Sequence, residues 1–461
     1  MLLPALTCLL ALAACSGGDD AGHDAGHDGG HDADVAPYPS GAAGTTLASW
    51  PTYHHDPSRS GHVTAGPHGR LRPAWRRSLS GAVYGEPLVI GSTLVVATEH
   101  DDVYGLNART GARRWKAHLG TPQPLSGLPC GNIDPLGITG TPAYDAATGS
   151  LFVVAETIGG NHTLWALDPT SGARRWHRSL DTQPDRDKLA EQQRSALLVT
   201  AGRVVTVFGG LAGDCANYVG YATSVATDGS GPTESYVVPT AREGGMWSPP
   251  GAVRGTNGNV YVAAGNGAER GGTWDGSDSV TELTPSTLQR RSVFAPSTWA
   301  DDNRGDLDLG SSSPAVVSRV NRMVIAGKRG VAYLLRPSLG GVGSQVAQLS
   351  GCTAFGGPAT SGGTVLMPCR GENSIRALHV GRSSLRWGWT KNGVYASPVI
   401  AGSRVYAADS DSGDLVVLRL ATGETLARLH VGPLPHFSSE TVSGDWVFVP
   451  TLAGVVAYRG A

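Results

Sequence analysis

Residue types that could perform chemistry follow one another in the middle of the chain. Trp247 lies in EGGMWSPPG, Asn266 in VYVAAGNG, Asp306 and Asp308 in ADDNRGDLDLGSSSP, and Lys328 in VIAGKRGVAYLL. A carboxylate can accept a proton, carboxylate and amide oxygens can bind a hard cation, and an ammonium can stabilise a negatively charged oxygen. Together these groups would suffice for proton transfer beside a bound cation, provided that the fold brings them together.

Each of these residues also has an ordinary structural explanation. Trp247 is of the kind that packs between sheets, and Asn266 before a glycine is a common turn pair. Asp306 and Asp308 flank a leucine in an alternating, strand-like run, which is consistent with two solvated carboxylates on one face. Lys328 beside a glycine turn fits a surface lysine. Only their arrangement in the fold can separate these hypotheses.

Another polar cluster lies in WPTYHHDPSRSG, residues 50–61, where His54, His55 and Asp56 are adjacent. Such a segment either caps a fold or ligates a metal, and its Pro, Ser and Gly content favours a turn-rich cap. WADDNRGD, residues 299–306, lacks the glycine and the terminal glutamate of an EF-hand. The sequence has no serine nucleophile elbow, P-loop, H-E-x-x-H or haem-binding C-x-x-C-H motif.

The composition favours an all-β protein. The chain has 461 residues, including 65 Gly and 29 Pro, with 16% charged residues and a formal net charge of −2. Gly and Pro are spread along the chain with Val and Thr, as expected for many short strands joined by turns. The absence of a basic block argues against a nucleic-acid partner. No segment after the N-terminal run approaches the length of a membrane-spanning helix, so membrane attachment would require a lipid.

The N-terminal segment predicts export. MLLPALTCLLALAA, residues 1–14, is too short to span a bilayer and is typical of a signal peptide. Leu12-Ala13-Ala14-Cys15 resembles the lipobox of bacterial lipoproteins, although no Lys or Arg precedes the apolar run; an ordinary cleaved signal is the alternative. We expect Cys15 to carry a lipid that anchors the exported chain to the cell envelope.

The stretch that follows, CSGGDDAGHDAGHDGGHDAD, is rich in Gly, His and Asp. Such a composition cannot bury a core, so residues 15–48 are expected to be a disordered tether. Its three His are four residues apart and would share a helix face, but the glycines oppose a helix. Metal binding by this tail is the alternative.

Four cysteines, Cys130, Cys215, Cys352 and Cys369, follow Cys15. An even number in an exported chain predicts two disulfides. Cys352 and Cys369 are close in sequence, so the favoured pairing joins them and leaves Cys130 with Cys215, although four cysteines allow three pairings.

One pattern recurs about eight times after residue 70. Its clearest copies, VYGLNARTGARRW and LWALDPTSGARRW, show an apolar strand, an Asp or Asn turn with Gly, and a second strand that ends in Trp. Two more apolar runs precede each copy, and the spacing of roughly 40 to 60 residues is that of propeller blades. The copies lie at residues 103–115, 164–176, 221–238, 279–293, 331–346, 375–387, 415–429 and 455–460.

The two ends of this repeat array complement each other. The last copy, VVAYRG, lacks an outer strand, and LRPAWRRSL at residues 71–79 is an outer strand without inner ones. Their pairing would remove the exposed sheet edges. The sequence therefore predicts an eight-bladed β-propeller of four-stranded blades over residues 49–461, closed by its N- and C-terminal strands. Seven blades would result if one weak copy is not a blade.

The short A-x-D-x-x-T-G-x-x-x-W unit is similar to the repeat of pyrroloquinoline-quinone (PQQ) dehydrogenases. It also resembles that of non-catalytic relatives, such as the lipoprotein that assists outer-membrane β-barrel assembly. The resemblance covers nearly all of residues 71–461, and it indicates the fold without separating enzymes from binding modules. It implies PQQ-dependent oxidation of a small-molecule alcohol. The alternative is a non-catalytic, lipid-anchored scaffold for an envelope protein.

For an enzyme, the resemblance implies PQQ and calcium as cofactors and a role for each residue. Trp247 would stack beneath the quinone, Lys328 would contact its oxygens, and Asn266 would ligate calcium. Asp306 would be the catalytic base and a further ligand, and Asp308 recreates an Asp-x-Asp spacing that adds a ligand for a larger cation. Without a haem motif, the electrons would need a separate acceptor.

Two departures from the family pattern favour the non-catalytic alternative. Where a vicinal cysteine pair and a following Arg are common, LPCGNIDPLGITGTP has Cys130 followed by Gly131 and no Arg. The first calcium-ligating Glu is absent from GGLAGDCANYVGY, where Asp214 is the remaining candidate ligand. The ordered Trp, Asn, Asp and Lys elements favour the enzyme.

Overall fold

The computed structural model describes residues 47–183 and 185–461. In this part of the chain, eight small sheets follow one another and form the blades of a β-propeller, which confirms the predicted all-β fold and the count of eight. One α-helix, Trp299–Gly305, lies between two blades, and no helix of the described part is long and apolar enough to cross a membrane. The expected signal segment, the lipidated Cys15 and nearly all of the expected tether lie outside the described residues.

The blades are numbered in chain order, and their strands are given from the innermost to the outermost. Blade 1 contains Leu88–Ile90, Thr93–Ala97, Asp102–Asn107 and Arg113–His118. Blade 2 contains Ala143–Asp145, Ser150–Thr157, Asn161–Leu167 and Arg174–Ser179. Blade 3 contains Leu198–Thr200, Arg203–Gly210, Tyr221–Ala226 and Glu234–Val237, with Glu191–Gln192 added beside its second strand. Blade 4 contains Val253–Arg254, Val260–Ala264, Ser279–Leu283 and Arg290–Ala295, followed by the short parallel strand Gly341–Val342.

The remaining blades have the same plan. Blade 5 contains Ala315–Val317, Arg322–Ala326, Val331–Leu335 and Ala347–Ser350. Blade 6 contains Ala359–Ser361, Thr364–Cys369, Ser374–Val380 and Leu385–Asn392. Blade 7 contains Val399–Ala401, Arg404–Asp409, Asp414–Arg419 and Thr425–His430, with His62–Val63 parallel to its innermost strand. Blade 8 contains Thr441–Ser443, Trp446–Thr451 and Gly454–Gly460, and its outermost strand is Leu71–Ser78.

The ring closes by pairing of the two ends of the repeat array. Leu71–Ser78 lies antiparallel to Gly454–Gly460, in a register that pairs Leu71 with Gly460 and Ser78 with Gly454. The last blade thus combines strands from both ends of the described chain, as the sequence predicted, and each open edge gains a partner.

A tryptophan on the outermost strand of one blade docks on the turn of the next blade. Trp115 of blade 1 is buried, its indole N–H donates to the carbonyl of Pro169 at 3.1 Å, and its ring covers Gly172 in the DPTSG turn of blade 2. A Cβ at Gly172 would lie 2.5 Å from that ring, and its φ of +72° also favours glycine. Equivalent contacts join Trp75 to Gly111, Trp176 to Gly229 and Trp389 to Gly423. The repeated Trp and Gly of the sequence pattern therefore form the contacts between blades.

The segment before the first repeat lines the central channel and confirms the cap hypothesis for residues 50–61. Trp50 exchanges backbone hydrogen bonds with Val89 of blade 1, and the Arg59 guanidinium donates to the carbonyls of Leu197 and Ala252 beside blades 3 and 4. Four other blades are reached by further hydrogen bonds, which join Ala48 to Ser443, Pro51 to Tyr144, Ser60 to Thr360 and Gly61 to Ile400. Because the segment contacts the innermost strands around the ring, it ties them together.

The three clustered polar residues serve this cap. His54 is buried and stacks on Tyr53 with ring centroids 4.2 Å apart, whereas Asp56 accepts hydrogen bonds from Ser58 and Ser60 within the loop. Among the described residues, His54, His55 and Asp56 belong to no group of three side chains close enough to share a metal ion.

Both favoured disulfides are present. Cys352 pairs with Cys369 next to blade 6, and Cys130 pairs with Cys215 across 85 residues of sequence. The second bond joins the loop between blades 1 and 2 to the loop that follows the second strand of blade 3.

The variant Gly172→Ala tests the contact between the Trp115 ring of blade 1 and the turn of blade 2, and the variant Gly202→Ala is its matched control. Gly202 has a similar φ of +70° but nothing within 4 Å of an added Cβ. Gly202→Ala should destabilise the propeller by about 1 kcal/mol through backbone strain alone. Gly172→Ala should cost about 3 kcal/mol, because the new methyl also meets the Trp115 ring. Urea unfolding of both variants measures the difference, and equal losses would contradict the proposed role of this tryptophan.

Candidate functional site

The predicted site residues surround one cavity of about 440 Å³, here called the central cavity. Its lining includes Trp247, Asp306, Asp308 and Lys328, together with Asp214. These residues come from loops of blades 3 and 5 and from the two connections that join blade 3 to blade 4 and blade 4 to blade 5. A region of sequence more than 100 residues long thus contributes to a single small space.

Asn266 and Lys328 occupy equivalent positions in neighbouring blades. Each follows a Gly that comes directly after the second strand, which ends at Ala264 in blade 4 and at Ala326 in blade 5. The segment around Asp308 packs between these two strand ends. A Cβ at Gly265 would lie 2.1 Å from the Asp308 Oδ1 atom, so the close approach requires glycine there.

The two aspartates do not lie on a strand, so the interpretation of residues 306–308 as a strand-like run was wrong. The helix Trp299–Gly305 ends at Asp306, which has the left-handed φ of 51°, and Asp308 begins the short 3₁₀ turn Leu309–Ser311. The left-handed residue reverses the chain between the helix and the turn. Both carboxylates consequently reach the same ammonium group, although Asp306 is exposed and Asp308 is buried.

Hydrogen bonds link the predicted residues directly. The Lys328 Nζ atom lies 2.8 Å from Asp306 Oδ1 and 2.6 Å from Asp308 Oδ2. The Asn266 side-chain amide donates to Asp306 at 2.8 Å, and its backbone N–H donates to Asp308 at 2.7 Å. Burial would lower the pKa of Lys328, but the two carboxylates outweigh it and raise that pKa above its usual value. The residues therefore form one charged network.

Oxygen donors suited to a hard cation are present in this network. The Oδ1 atom of Asn266 is buried and has no hydrogen-bond partner within the described residues. It belongs to the same side chain that contacts Asp306, beside the Asp308 carboxylate. An amide oxygen and carboxylates are the ligand types that calcium and related cations prefer. The donor set fits a cation, with Lys328 as the present counter-charge of both aspartates.

Asp214 is placed at the cavity by the loop that follows the second strand of blade 3. It accepts a hydrogen bond from the Tyr218 hydroxyl at 2.5 Å. Burial and, to a smaller extent, the nearby Asp308 charge raise its pKa above the usual value, while the Tyr218 hydrogen bond opposes this. Asp214 adds a carboxylate to the wall, but the described residues contain no group of three carboxylates within ligand distance of one another at this site.

Aromatic rings form the other walls. The Trp247 ring is half-buried, and its centroid lies 6.1 Å from that of Phe355 and 6.4 Å from that of Phe437. The two phenylalanine rings are nearly parallel, with an interplanar angle of 8°. Lys328 Nζ lies 5.6 Å from the Trp247 centroid. This geometry suits a flat ligand that has a negatively polarised atom near Lys328.

Sequence reasoning missed several residues of the cavity, namely Arg194, Arg370, Phe355 and Phe437. Three of them lie in connections between blades that carry no repeated pattern. Arg370 had a usable signal, because it directly follows the second strand of blade 6, close to the position that Asn266 and Lys328 occupy in blades 4 and 5.

The long-range disulfide shapes the rim of the cavity. Cys130 and Cys215 flank wall residues Ile133 and Asp214, and a Cβ at Gly213 would lie 3.4 Å from the Cys130 sulfur. Two loops from different parts of the sequence are therefore fixed together beside the Asp214 carboxylate.

Comparison with known proteins agrees with the repeat and the fold. The sequence profile of the PQQ_2 family, described as outer membrane protein assembly factor BamB, matches residues 57–227. No curated protein matches the chain. The quinohemoprotein alcohol dehydrogenase from Comamonas testosteroni superposes with a TM-score of 0.67 at 17% identity, covering 90% of this chain and 81% of that chain.

Two further solved structures are similar. A europium-containing methanol dehydrogenase gives a TM-score of 0.68 at 14% identity, with 89% of this chain and 97% of that chain covered. BamB from Moraxella catarrhalis gives a TM-score of 0.57 at 15% identity, with 85% and 98% covered. At these identities the likeness concerns the fold, which enzymes and an assembly factor share.

Removing the ammonium of Lys328 tests whether it compensates the buried carboxylate. Lys328→Met should destabilise the propeller by about 3 kcal/mol, because Asp308 would remain buried without a counter-charge. The control is Arg419→Met, which breaks an ion pair of 2.8 Å between Arg419 and Glu424 that is exposed on blade 7. That change should cost less than about 1 kcal/mol. Equal unfolding free energies for the two variants would contradict the assignment.

Proposed function

We propose that this PQQ-repeat β-propeller is a PQQ-dependent dehydrogenase-like oxidoreductase that oxidises an alcohol. The observation that carries the proposal is the convergence of Trp247, Asp306, Asp308 and Lys328 on one cavity, with Asn266 hydrogen-bonded to both aspartates. Their arrangement beside a flat aromatic space is what binding of a cation and a quinone would require.

The chain's own residues have separate tasks in this reaction. When bound, PQQ would supply a carbonyl that accepts hydride, and a cation would polarise that carbonyl. Trp247 would provide a flat surface for the ring system. Asp306, whose side chain is 68% exposed, accepts the proton of the substrate hydroxyl. Lys328 would supply positive charge to the quinone oxygens.

The buried members of the network hold the cation and the base in place. Asn266 Oδ1 and Asp308 would be ligands together with Asp306, and Asp214 lies on the neighbouring wall. Asn266 also orients Asp306 through its side-chain N–H. The cation that we propose is calcium or, because the Asp-x-Asp spacing adds a ligand, a larger cation.

The second candidate is a non-catalytic scaffold or binding module, and two observations favour it. The matching family profile is that of an assembly factor. Moreover, the Lys328 ammonium contacts both Asp306 and Asp308, so each carboxylate already has a positively charged partner without a metal ion. Under either candidate we propose that the chain is exported and anchored to the cell envelope through a lipid on Cys15.

Titration of the purified full-length chain with PQQ separates the two candidates. In the presence of calcium or, separately, lanthanum, PQQ should raise the melting temperature, since it binds the folded state. Alcohols should then reduce a redox dye. Asp306→Asn should keep the thermal shift but abolish dye reduction, whereas Trp247→Ala should lose both.

The matched control is Trp387→Ala, which changes a tryptophan on the outermost strand of blade 6 that does not line the cavity. It should bind PQQ as the unaltered chain does. A chain that shows neither a thermal shift nor dye reduction with either cation would overturn the enzyme proposal in favour of the scaffold.

A further inference from the structure

The face of the propeller opposite the central cavity is built from turns within the blades. Strands alternate in direction within a blade, so the turns after the first and third strands lie on one face, here called the turn face. The loops after the second strands and the connections between blades, which supply the cavity lining, lie on the other face. The turn after the first strand of blade 6 is only Gly362-Gly363, between Ser361 and Thr364. Neighbouring side chains on the turn face are therefore not covered by a long loop there.

The turn face of blades 5 and 6 is basic. Arg319 and Arg322 lie at the turn after the first strand of blade 5, and Arg336 follows the third strand of that blade. Arg382 and Arg386 lie at the turn after the third strand of blade 6. All but Arg322 are exposed, and the turns of this face in blades 5 and 6 contain no Asp, Glu or Lys. This part of the surface carries only positive charge.

No carboxylate neutralises these five arginines. The Arg322 guanidinium donates to the backbone carbonyls of Asn321 at 2.8 Å and Arg382 at 2.7 Å. Across residues 47–183 and 185–461, none of the five arginines forms an ion pair. A guanidinium without a carboxylate partner keeps donors whose planar arrangement matches the oxygens of a phosphate.

A groove between blades 5 and 6 lies within this arginine patch. It has a volume of about 640 Å³, and Arg319 and Arg386 both line it. Gly363 and Gly381 line it as well, so side chains do not fill that part of the groove. The groove offers room for a phosphate-bearing headgroup between the two guanidinium groups.

Blade 4 extends the patch and blade 7 ends it. Arg254, Arg290 and Arg291 are exposed at the turns of blade 4, which also lack acidic residues. In blade 7, by contrast, Arg419 is paired with Glu424 at 2.8 Å. The uncompensated positive charge therefore spreads over three neighbouring blades, which is wider than a single small anion can contact.

The cavity face has the opposite charge in the same part of the ring. The connection from blade 4 to blade 5 contains Asp301, Asp302, Asp306 and Asp308, and its one basic residue is Arg304. Such a separation of charge orients the molecule in front of an anionic surface, with the turn face toward it.

The described chain also begins on the turn face. The Ala48 N–H donates to the Ser443 hydroxyl at 2.9 Å, and Ser443 is the last residue of the first strand of blade 8. An anchor upstream of Leu47, such as the proposed lipid on Cys15, would thus connect to the propeller at the turn face.

We propose that the turn face of blades 4 to 6 binds the surface of a lipid bilayer through the phosphates of anionic phospholipids. A polyanionic surface can engage all of these arginines at once, and clusters of basic residues are typical of proteins that bind anionic bilayers. In this orientation the central cavity opens away from the bilayer. The inference goes beyond the proposed function, since it applies equally to an oxidoreductase and to a scaffold.

Vesicle co-sedimentation of the purified full-length chain tests the proposal. Vesicles of phosphatidylcholine with about 30% phosphatidylglycerol are compared with vesicles of phosphatidylcholine alone, at low ionic strength. The chain should bind the anionic vesicles about a hundredfold more tightly, and high salt should abolish this preference. Any affinity that residues 1–46 have for a bilayer is common to all variants, so the preference isolates the arginines.

Substitutions assign the preference to the turn face. Arg386→Gln should reduce it about fivefold, and the triple variant Arg319→Gln/Arg382→Gln/Arg386→Gln should lose most of it. The matched control is Arg270→Gln, which removes an exposed arginine from the loop after the second strand of blade 4, on the cavity face. It should bind as the unaltered chain does. All of these variants should keep the melting temperature of the unaltered chain, because the turn-face arginines form no ion pairs.

Hydrogen exchange of the vesicle-bound chain gives the orientation. Backbone amides of residues 318–322 and 381–386 should exchange more slowly than in the free chain, whereas those of residues 267–272 on the cavity face should be unchanged. Protection of the cavity face instead, equal binding to both kinds of vesicle, or an unchanged preference in the triple variant would overturn the proposal.

A DNA duplex at the same phosphate concentration tests the other polyanion. If it binds through these arginines more tightly than the anionic vesicles do, the turn face is a nucleic-acid surface and the membrane proposal fails. The proposed function is decided separately, because the titration with PQQ uses no vesicles and these experiments use no PQQ.

Discussion

The contact between an outer-strand tryptophan and the glycine turn of the next blade is the constraint on which the rest of the structure depends. It recurs at Trp75, Trp115, Trp176 and Trp389. Each contact fixes the distance between two neighbouring sheets. The pairing of Leu71–Ser78 with Gly454–Gly460 closes the ring. The central cavity receives side chains from several blades and their connections. The Trp–Gly contacts join blade 8 to blade 1, blade 1 to blade 2, blade 2 to blade 3 and blade 6 to blade 7, and so stabilise the ring that carries the cavity.

The interior of the ring is divided by charge. The channel is lined by the segment that includes Trp50 and Arg59, whose hydrogen bonds reach the innermost strands of most blades. The cavity has one wall with the carboxylates Asp214, Asp306 and Asp308 around Lys328 and another wall with Arg194 and Arg370. An asymmetric charge distribution in a confined aromatic space gives a ligand one preferred orientation. It is this asymmetry, more than the propeller fold, that distinguishes the site from a packed channel.

Much of the architecture was predictable because it depends on repeated local patterns. The Asx-Gly turns and the terminal Trp marked the strand pairs, and the incomplete first and last copies predicted the closure of the ring. Trp247, Asn266, Asp306, Asp308 and Lys328 were predicted through the order of their motifs, and the structure brings them together. The helical turn at Asp306 was not predicted, since an alternating Asp-Leu-Asp run does not reveal the left-handed residue that reverses the chain. Arg194 and Phe437 were missed because their significance lies in which loops the ring brings together, and a single sequence does not encode that locally.

We propose that the central cavity binds one quinone and one cation. Native mass spectrometry of the purified chain, incubated with PQQ and either calcium or lanthanum, tests it most directly. We expect a dominant species that carries one PQQ and one metal ion, and a parallel loss of both in Trp247→Ala. A spectrum that shows only the unliganded chain, or PQQ bound in variable numbers irrespective of Trp247, would contradict it.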